Sequence, residues 1–197
     1  VGHDGGPLSQ RVASDIASHL GFTLHYVNDL PDSTRSVTDL KNSRIYVSLG
    51  QSPDSDPRSV VLQALAGHVL GHEEPSNYAD FLMQRVQTNY LAGALMVPED
   101  SAVRFLAAAK ERRELSVEDL RDAFAVTYET AAHRFTNLAT QHLGIPVHFL
   151  KVHESGTISK AYENDNVQVP TDGLGAVEGQ TVCRYGSARQ VFERDDR

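Results

Sequence analysis

The chain has 197 residues, of which 40% are hydrophobic and 22% are charged, and its formal net charge is −8. This composition is ordinary for a globular protein, and the length suits one moderate domain with a tail. A net acidic chain with scattered basic residues is unlike a nucleic-acid-binding domain. A single cysteine, Cys183, excludes an internal disulfide framework, and no apolar run is long enough to span a membrane. These features predict a cytoplasmic protein with no membrane partner.

The first fifty residues predict one helix and three strands. Apolar residues at four-residue spacing from Leu8 predict a helix that ends at Gly21. The alternating stretch 23–27 predicts a strand, and 35–50 predicts two strands joined by a turn at 41–43. We therefore expect a short antiparallel sheet beside the first helix.

Helical patterns dominate from there to about residue 143. Asp56 is a predicted N-cap and Pro57 a predicted first helical residue. The stretch 60–69 is apolar nearly all round, which is typical of a buried central helix. Four more helices are predicted at 78–96, at 99–112, after the N-cap Ser116, and between the N-cap Thr127 and Gly144.

The pattern changes after Gly144. The stretch 147–162 predicts a hairpin with its turn at 154–156, and 163–180 predicts a loop or tail. The predicted fold class is therefore α+β, with a short antiparallel sheet, a helical bundle and a C-terminal hairpin.

Two histidines four residues apart, His68 and His72, fall on one predicted helix. Histidines at i and i+4 can bind zinc from one helical face, and Glu73 or His19 would be candidates for a third ligand. The alternative is that both histidines end a buried helix, where the helix dipole favours them, and hydrogen-bond to their neighbours. The position after His68 holds Val69, so the glutamate that serves zinc peptidases as general base is absent.

Two later stretches carry a resemblance to a known family. "RVQTNYLAGALMVPE" (85–99) and "LRDAFAVTYETAAHRFTNL" (120–138) are similar to the patterns ExEANxFAAxLLMP and LAxxFxVSxxAxxxRLxxL of the ImmA/IrrE family. In that family the preceding helix carries HExxH. The resemblance covers about residues 8–150 and implies a degenerate zincin-like domain.

The catalytic motif of that family is not retained here. Without gaps, HExxH aligns with 63–67, and a shift by five residues aligns it with 68–72; neither register has the glutamate. The family's acidic third ligand aligns near Arg85 or Gln87, which are poor zinc ligands. The resemblance therefore implies a pseudo-peptidase rather than an enzyme.

A narrower group fits the C-terminal part. "IPVHFLKVHESGTISKAYE" (145–163) is similar to the segment IPFHFVKVDRAGNISKRYS of short-chain fatty-acyl-CoA-responsive regulators of the RamB/PrpR type. "TVCRYGSARQVF" (181–192) keeps Cys183 and a phenylalanine of that group's cysteine motif but lacks its proline and tryptophan. This resemblance implies a ligand-sensing domain at 1–144, and a hairpin with the start of a cysteine-containing module at 145–197.

The same resemblance implies the function. It implies the ligand-sensing and dimerisation region of a transcriptional regulator of short-chain fatty acid, glyoxylate and propionate metabolism, with coenzyme A or a short-chain acyl-CoA as effector. DNA would be bound by a homodimer through a helix-turn-helix that precedes Val1. The other cysteines of an iron–sulfur cluster would lie beyond Arg197, so we expect no such cluster within this chain alone. Two alternatives stay open: a zinc-dependent metallohydrolase or peptidase with a non-standard site, and a dimerisation module with an empty cleft.

The predicted ligand-binding residues are Arg85, Asn89, Tyr90, Arg44, Arg104 and Gln63. Arg85 replaces the lost carboxylate ligand, where its guanidinium would meet a phosphate or a thioester oxygen. Tyr90 would stack on an adenine or cover the pantetheine. The structural alternatives are a surface ion pair for Arg85 and a place in the core or the cleft wall for Tyr90. Arg134 is a further phosphate candidate, or else an inward arginine paired with Asp119 or Asp122.

Overall fold

A computed structural model of the chain describes residues 3–49, 56–163 and 177–192. The chain divides into two compact units, Val1–Arg134 and Phe135–Arg197. The fold is mixed α+β, as predicted, with seven helices and five strands in the described parts. No helix in these parts is long and apolar enough to cross a membrane. Most of the loop or tail predicted at 163–180 lies outside the described residues, at 164–176.

The first unit opens with one helix and a three-stranded sheet: α1 (Gln10–His19), β1 (Thr23–Val27), β2 (Ser36–Asp39) and β3 (Arg44–Ser48). The strand β3 lies in the centre, antiparallel to β2 and parallel to β1. The sheet is therefore mixed, which corrects the expectation of a purely antiparallel one. A tight turn forces β2 and β3 to run antiparallel, whereas the alternating pattern of β1 carries no information about its direction.

Five helices follow, at the predicted places: α2 (Pro57–Val69), α3 (Tyr78–Met96), α4 (Glu99–Arg112), α5 (Val117–Phe124) and α6 (Tyr128–Leu143). The helix α2 is the core element of the first unit, since Val61, Leu62 and Leu65 are all buried. Its last turn differs from the prediction of a helix buried all round, because Val69 is 56% exposed. The buried part of α2 therefore ends at Ala66.

Local side-chain chemistry sets several helix starts. The carboxylate of Asp56 accepts a hydrogen bond from the backbone N–H of Arg58 at 2.9 Å, so it caps α2 as predicted. The hydroxyl of Ser116 accepts from the backbone N–H of Asp119 at 3.1 Å and caps α5 in the same way. These bonds satisfy N–H groups that have no partner inside a helix.

The second unit contains the predicted hairpin, β4 (His148–Val152) and β5 (Ile158–Glu163), and a short helix, α7 (Ser187–Gln190). The two strands are antiparallel, with an irregularity between Lys151 and Val152. The turn contains Gly156 at a φ of 88°, in the left-handed region that glycine adopts without strain. The hydroxyl of Tyr162 donates to the side-chain oxygen of Asn137 at 2.7 Å and ties the hairpin to the C-terminal half of α6.

Candidate functional site: a groove at the end of α2

The segment predicted as a metal-binding helix ends before its second histidine. The helix α2 stops at Val69, and Gly71 has a φ of 67°. The backbone N–H of Gly71 donates to the carbonyl of His68 at 3.1 Å, and that of His72 donates to the carbonyl of Gly67 at 3.0 Å. This pair of bonds is the Schellman motif that closes helix C-termini. His72 therefore lies beyond the helix, and the expected i, i+4 pair on one helical face does not form.

Each histidine has its own neighbour. The ring of His68 meets the ring of Phe22 edge-on, with 4.9 Å between the centroids. The Nε2 atom of His72 lies 2.9 Å from the side-chain oxygen of Gln87 on α3. Among the described residues no group of three or more His, Cys, Asp or Glu side chains is placed to hold a metal ion. Neither predicted third ligand therefore joins the two histidines in a coordination site.

An open groove with a volume of about 720 Å³ lies at this turn. Three parts of the chain build it: the end of β2 and the residue after it, with Thr38 and Leu40; the end of α2 and the turn that follows, with both histidines; and the first half of α3, with Phe81 and Arg85. Its size falls within the range of small-molecule sites, roughly 300–1,000 Å³. The end of α2 and the start of α3 thus form a concave surface.

The groove lining contains charges of both signs. Arg85 contributes a guanidinium, which forms no ion pair with the residues that the structure describes. The predicted alternative of a surface salt bridge for Arg85 is therefore not realised in the described part of the chain. Glu73 and Glu74 line the same groove in the segment before α3, and the carbonyl of Glu73 accepts a hydrogen bond from the side-chain amide of Gln84, the sequence neighbour of Arg85, at 3.1 Å. A ligand in this groove therefore meets positive and negative charge within one lining.

A carboxyl group with a perturbed pKa lies at the turn between β2 and β3. The side-chain amide of Asn42 donates to Asp39 at 2.7 Å, and its backbone N–H donates to the same carboxylate at 3.1 Å. These bonds hold the pKa of Asp39 below its ordinary value, with smaller contributions that include the charge of Arg44. Arg44 lies opposite Asp39 in the β2–β3 pairing and does not line the groove.

Arg85 and Tyr90 do not share a face of α3. Successive residues of an α-helix are rotated by about 100° around the helix axis, so two residues five positions apart point in directions about 140° apart. Tyr90 and Asn89 are exposed, and neither lines the groove that contains Arg85. The expectation of one cleft containing all three residues is therefore not met.

The other predicted residues are also separate from the groove. The side-chain amide of Gln63 on α2 donates to the hydroxyl of Ser59 at 3.2 Å. Arg104 is exposed on α4. Arg134 is buried and forms no ion pair with Asp119 or Asp122. The Asp122 carboxylate pairs with Arg121 instead, at 2.7 Å. Of the predicted ligand-binding set, the groove contains Arg85 alone.

Several groove residues were not predicted. Phe81, Gln84 and Thr88 line the groove from α3 beside Arg85, which was predicted. The spacing of these four, i, i+3, i+4 and i+7, is that of one helical face, so Arg85 alone was enough to identify the other three. Thr38 and Leu40 come from the sheet, and no sequence pattern links them to α3.

Two comparisons with known proteins point to regulators. A protein of Cereibacter sphaeroides named propionyl-CoA carboxylase regulator is 37% identical over 110 residues, which are 55% of this chain and 22% of that protein. A Mycobacterium tuberculosis transcriptional regulator has a similar structure, with a TM-score of 0.67 and 19% sequence identity, over 95% of this chain and 57% of that chain. No protein-family model matches the chain.

These comparisons define what the chain is similar to. In fold it resembles part of a transcriptional regulator, and in sequence it resembles part of a second regulator. The chain spans about a fifth of the sequence relative and somewhat over half of the solved chain. At 19% identity, the structural likeness shows the fold alone.

Proposed function

We propose that this chain is the effector-sensing region of a transcriptional regulator and that the groove binds coenzyme A or a short-chain acyl-CoA. The observation that carries the proposal is the open groove of about 720 Å³ with the guanidinium of Arg85 in its wall. The resemblance of 145–163 to short-chain acyl-CoA-responsive regulators supports this ligand class. So does the sequence relative, which is named as a regulator of propionyl-CoA carboxylase.

The groove lining offers both a cationic and an apolar contact to such a ligand. A guanidinium can bind a phosphate through two parallel hydrogen bonds, which favours the phosphates of coenzyme A at Arg85. The exposed side chains of Leu40 and Phe81 offer apolar contact to the pantetheine or to a short acyl chain. Glu73 and Glu74 line the same groove and disfavour phosphates beside them, so Arg85 is the contact that we propose for the phosphates.

Binding is tested by native mass spectrometry of the purified chain with coenzyme A, acetyl-CoA and propionyl-CoA. We expect an adduct of the ligand mass, weakened about tenfold or more in Arg85→Ala, because a hydrogen bond to a charged group contributes about 1.5–3 kcal/mol. Arg104→Ala is the matched control, since it removes an exposed arginine outside the groove. The proposal is wrong if no adduct forms, or if both variants lose affinity equally.

We further propose that the regulator acts as a homodimer, with its DNA-binding part outside this chain. Exposed apolar side chains along α3, among them Tyr78, Met83 and Val86, support a protein contact there. Val86→Glu should then shift the mass measured by light scattering from dimer to monomer. The control Ala108→Glu places the same charge at an exposed position of α4 and should leave the dimer intact.

The alternative function, a zinc-dependent hydrolase, is favoured by one observation: His68 and His72 both line the groove. It predicts stoichiometric zinc in the purified chain, which His68→Gln would remove. Elemental analysis on the same sample as the binding experiment separates the two functions. Stoichiometric zinc without any coenzyme A adduct would favour the hydrolase.

A further inference from the structure

Arg134 is a buried arginine whose charge is only partly matched. The side chain is 3% exposed, and its Nε donates to the carbonyl of Val97 at 3.3 Å. Its guanidinium carbon lies 5.6 Å from the centroid of the Tyr90 ring. Nη1 and Nη2 are buried and find no hydrogen-bond acceptor among the described residues. A buried guanidinium with two unmatched nitrogen atoms is costly, and an arginine does not escape that cost by losing its proton.

The partners that are present compensate the charge without satisfying these nitrogens. Val97 is the C-cap of α3, so its carbonyl belongs to the negative end of that helix. The Tyr90 ring contributes a cation–π contact. Neither partner supplies the two oxygen atoms that the parallel N–H groups of a guanidinium fit. An anion with paired oxygens would fit both nitrogens at once.

We propose that Arg134 is the base of a second binding site, which takes a small carboxylate or phosphate and which Tyr90 covers while the site is empty. Tyr90 is 48% exposed, so its ring can rotate into solvent without leaving a packed core. Gly93, one turn further along α3, has no side chain, and the aliphatic stem of Arg134 runs past it. Moving the Tyr90 ring therefore uncovers the guanidinium from the outer side of α3.

This site is distinct from the groove. Tyr90 lies about 140° around α3 from Arg85, so the two sites open on different sides of that helix. Anion binding at Arg134 therefore does not depend on coenzyme A binding in the groove, and each can fail without the other.

The chain contains no tryptophan, so Tyr90→Trp creates a single fluorescent reporter at the cover. Tryptophan also keeps the cation–π contact with Arg134. Sodium phosphate and sodium acetate would be titrated separately at constant ionic strength, with sodium chloride as the balancing salt. We expect a saturable change in emission with at least one of them, and the more effective anion identifies the ligand as phosphate or carboxylate. A response that does not saturate with either anion refutes the site.

Variants of Arg134 separate binding from support of the fold. In the Tyr90→Trp background, Arg134→Met should abolish the response, and Arg134→Lys should weaken it about tenfold or more, because an ammonium lacks the paired N–H groups. The melting temperature of each variant shows whether the fold is retained, because methionine also loses the hydrogen bond to Val97 and the contact with Tyr90. An unchanged anion response in a folded Arg134→Met or Arg134→Lys variant would overturn the proposal.

Discussion

Two glycines four residues apart, Gly67 and Gly71, should respond to alanine with opposite changes in stability. A Cβ at Gly67, inside α2, would meet a methyl group of Thr88 at 3.8 Å, an ordinary contact. Alanine there should stabilise the chain by about 0.5–1 kcal/mol, because glycine is the poorer helix former. Gly71 has a φ of 67° and no described atom within 4 Å of an added Cβ, so only the backbone opposes alanine.

The size of the effect at Gly71 follows from that backbone. The left-handed conformation costs an alanine about 1–2 kcal/mol. Alanine also lowers the conformational entropy of the unfolded chain, which offsets part of that cost. The free energy of unfolding should therefore fall by about 1 kcal/mol. The two variants should therefore differ by about 2 kcal/mol, or roughly 4–8 °C in melting temperature for a chain of this length.

Thermal and urea denaturation followed by circular dichroism would measure this difference, since the chain has no tryptophan for intrinsic fluorescence. Gly71→Asn is the control and should fall between glycine and alanine, because asparagine tolerates the left-handed region better. A neutral or stabilising Gly71→Ala would refute the reasoning. It would mean that α2 continues through His72 and presents both histidines on one face.

Three further predictions concern the fold. Leu62→Ala should lower the free energy of unfolding, measured by urea denaturation, by about 3 kcal/mol, because Leu62 is fully buried. The control Val69→Ala, at the exposed end of α2, should change it by less than about 0.5 kcal/mol. Ser116→Ala should lower the melting temperature through a loss of about 1 kcal/mol at the α5 cap, and Ser116→Asp should retain most of it. Asn42→Ala should raise the lowered pKa of Asp39, measured by NMR, toward its ordinary value. Because the pKa of Asp39 is lower in the folded chain, its ionised carboxylate stabilises the fold at pH values above the unfolded-state pKa. This stabilisation is lost as the pH falls through the folded-state pKa. Asn42→Ala should therefore make the free energy of unfolding depend less on pH in the acid range.

The sequence by itself determined the secondary structure closely. The α3 boundaries at Tyr78 and Met96 are set by local signals, an asparagine N-cap and Pro98 just beyond the end. The hairpin of β4 and β5 follows from alternation and a glycine turn in the same way. Such signals act within a few residues along the chain, and they are therefore readable without knowledge of the fold.

The tertiary structure alone decided which side chains meet. The direction of β1 depends on its pairing with β3, and the groove depends on where the end of β2 lies beside α3. Gly71 was visible in the sequence, but a glycine between two histidines is compatible with a continued helix as well as with a Schellman end. The unmatched nitrogens of Arg134 depend on the packing of α6 beside Tyr90 and Val97. These features arise from contacts between residues far apart in the chain, whose geometry no local pattern encodes.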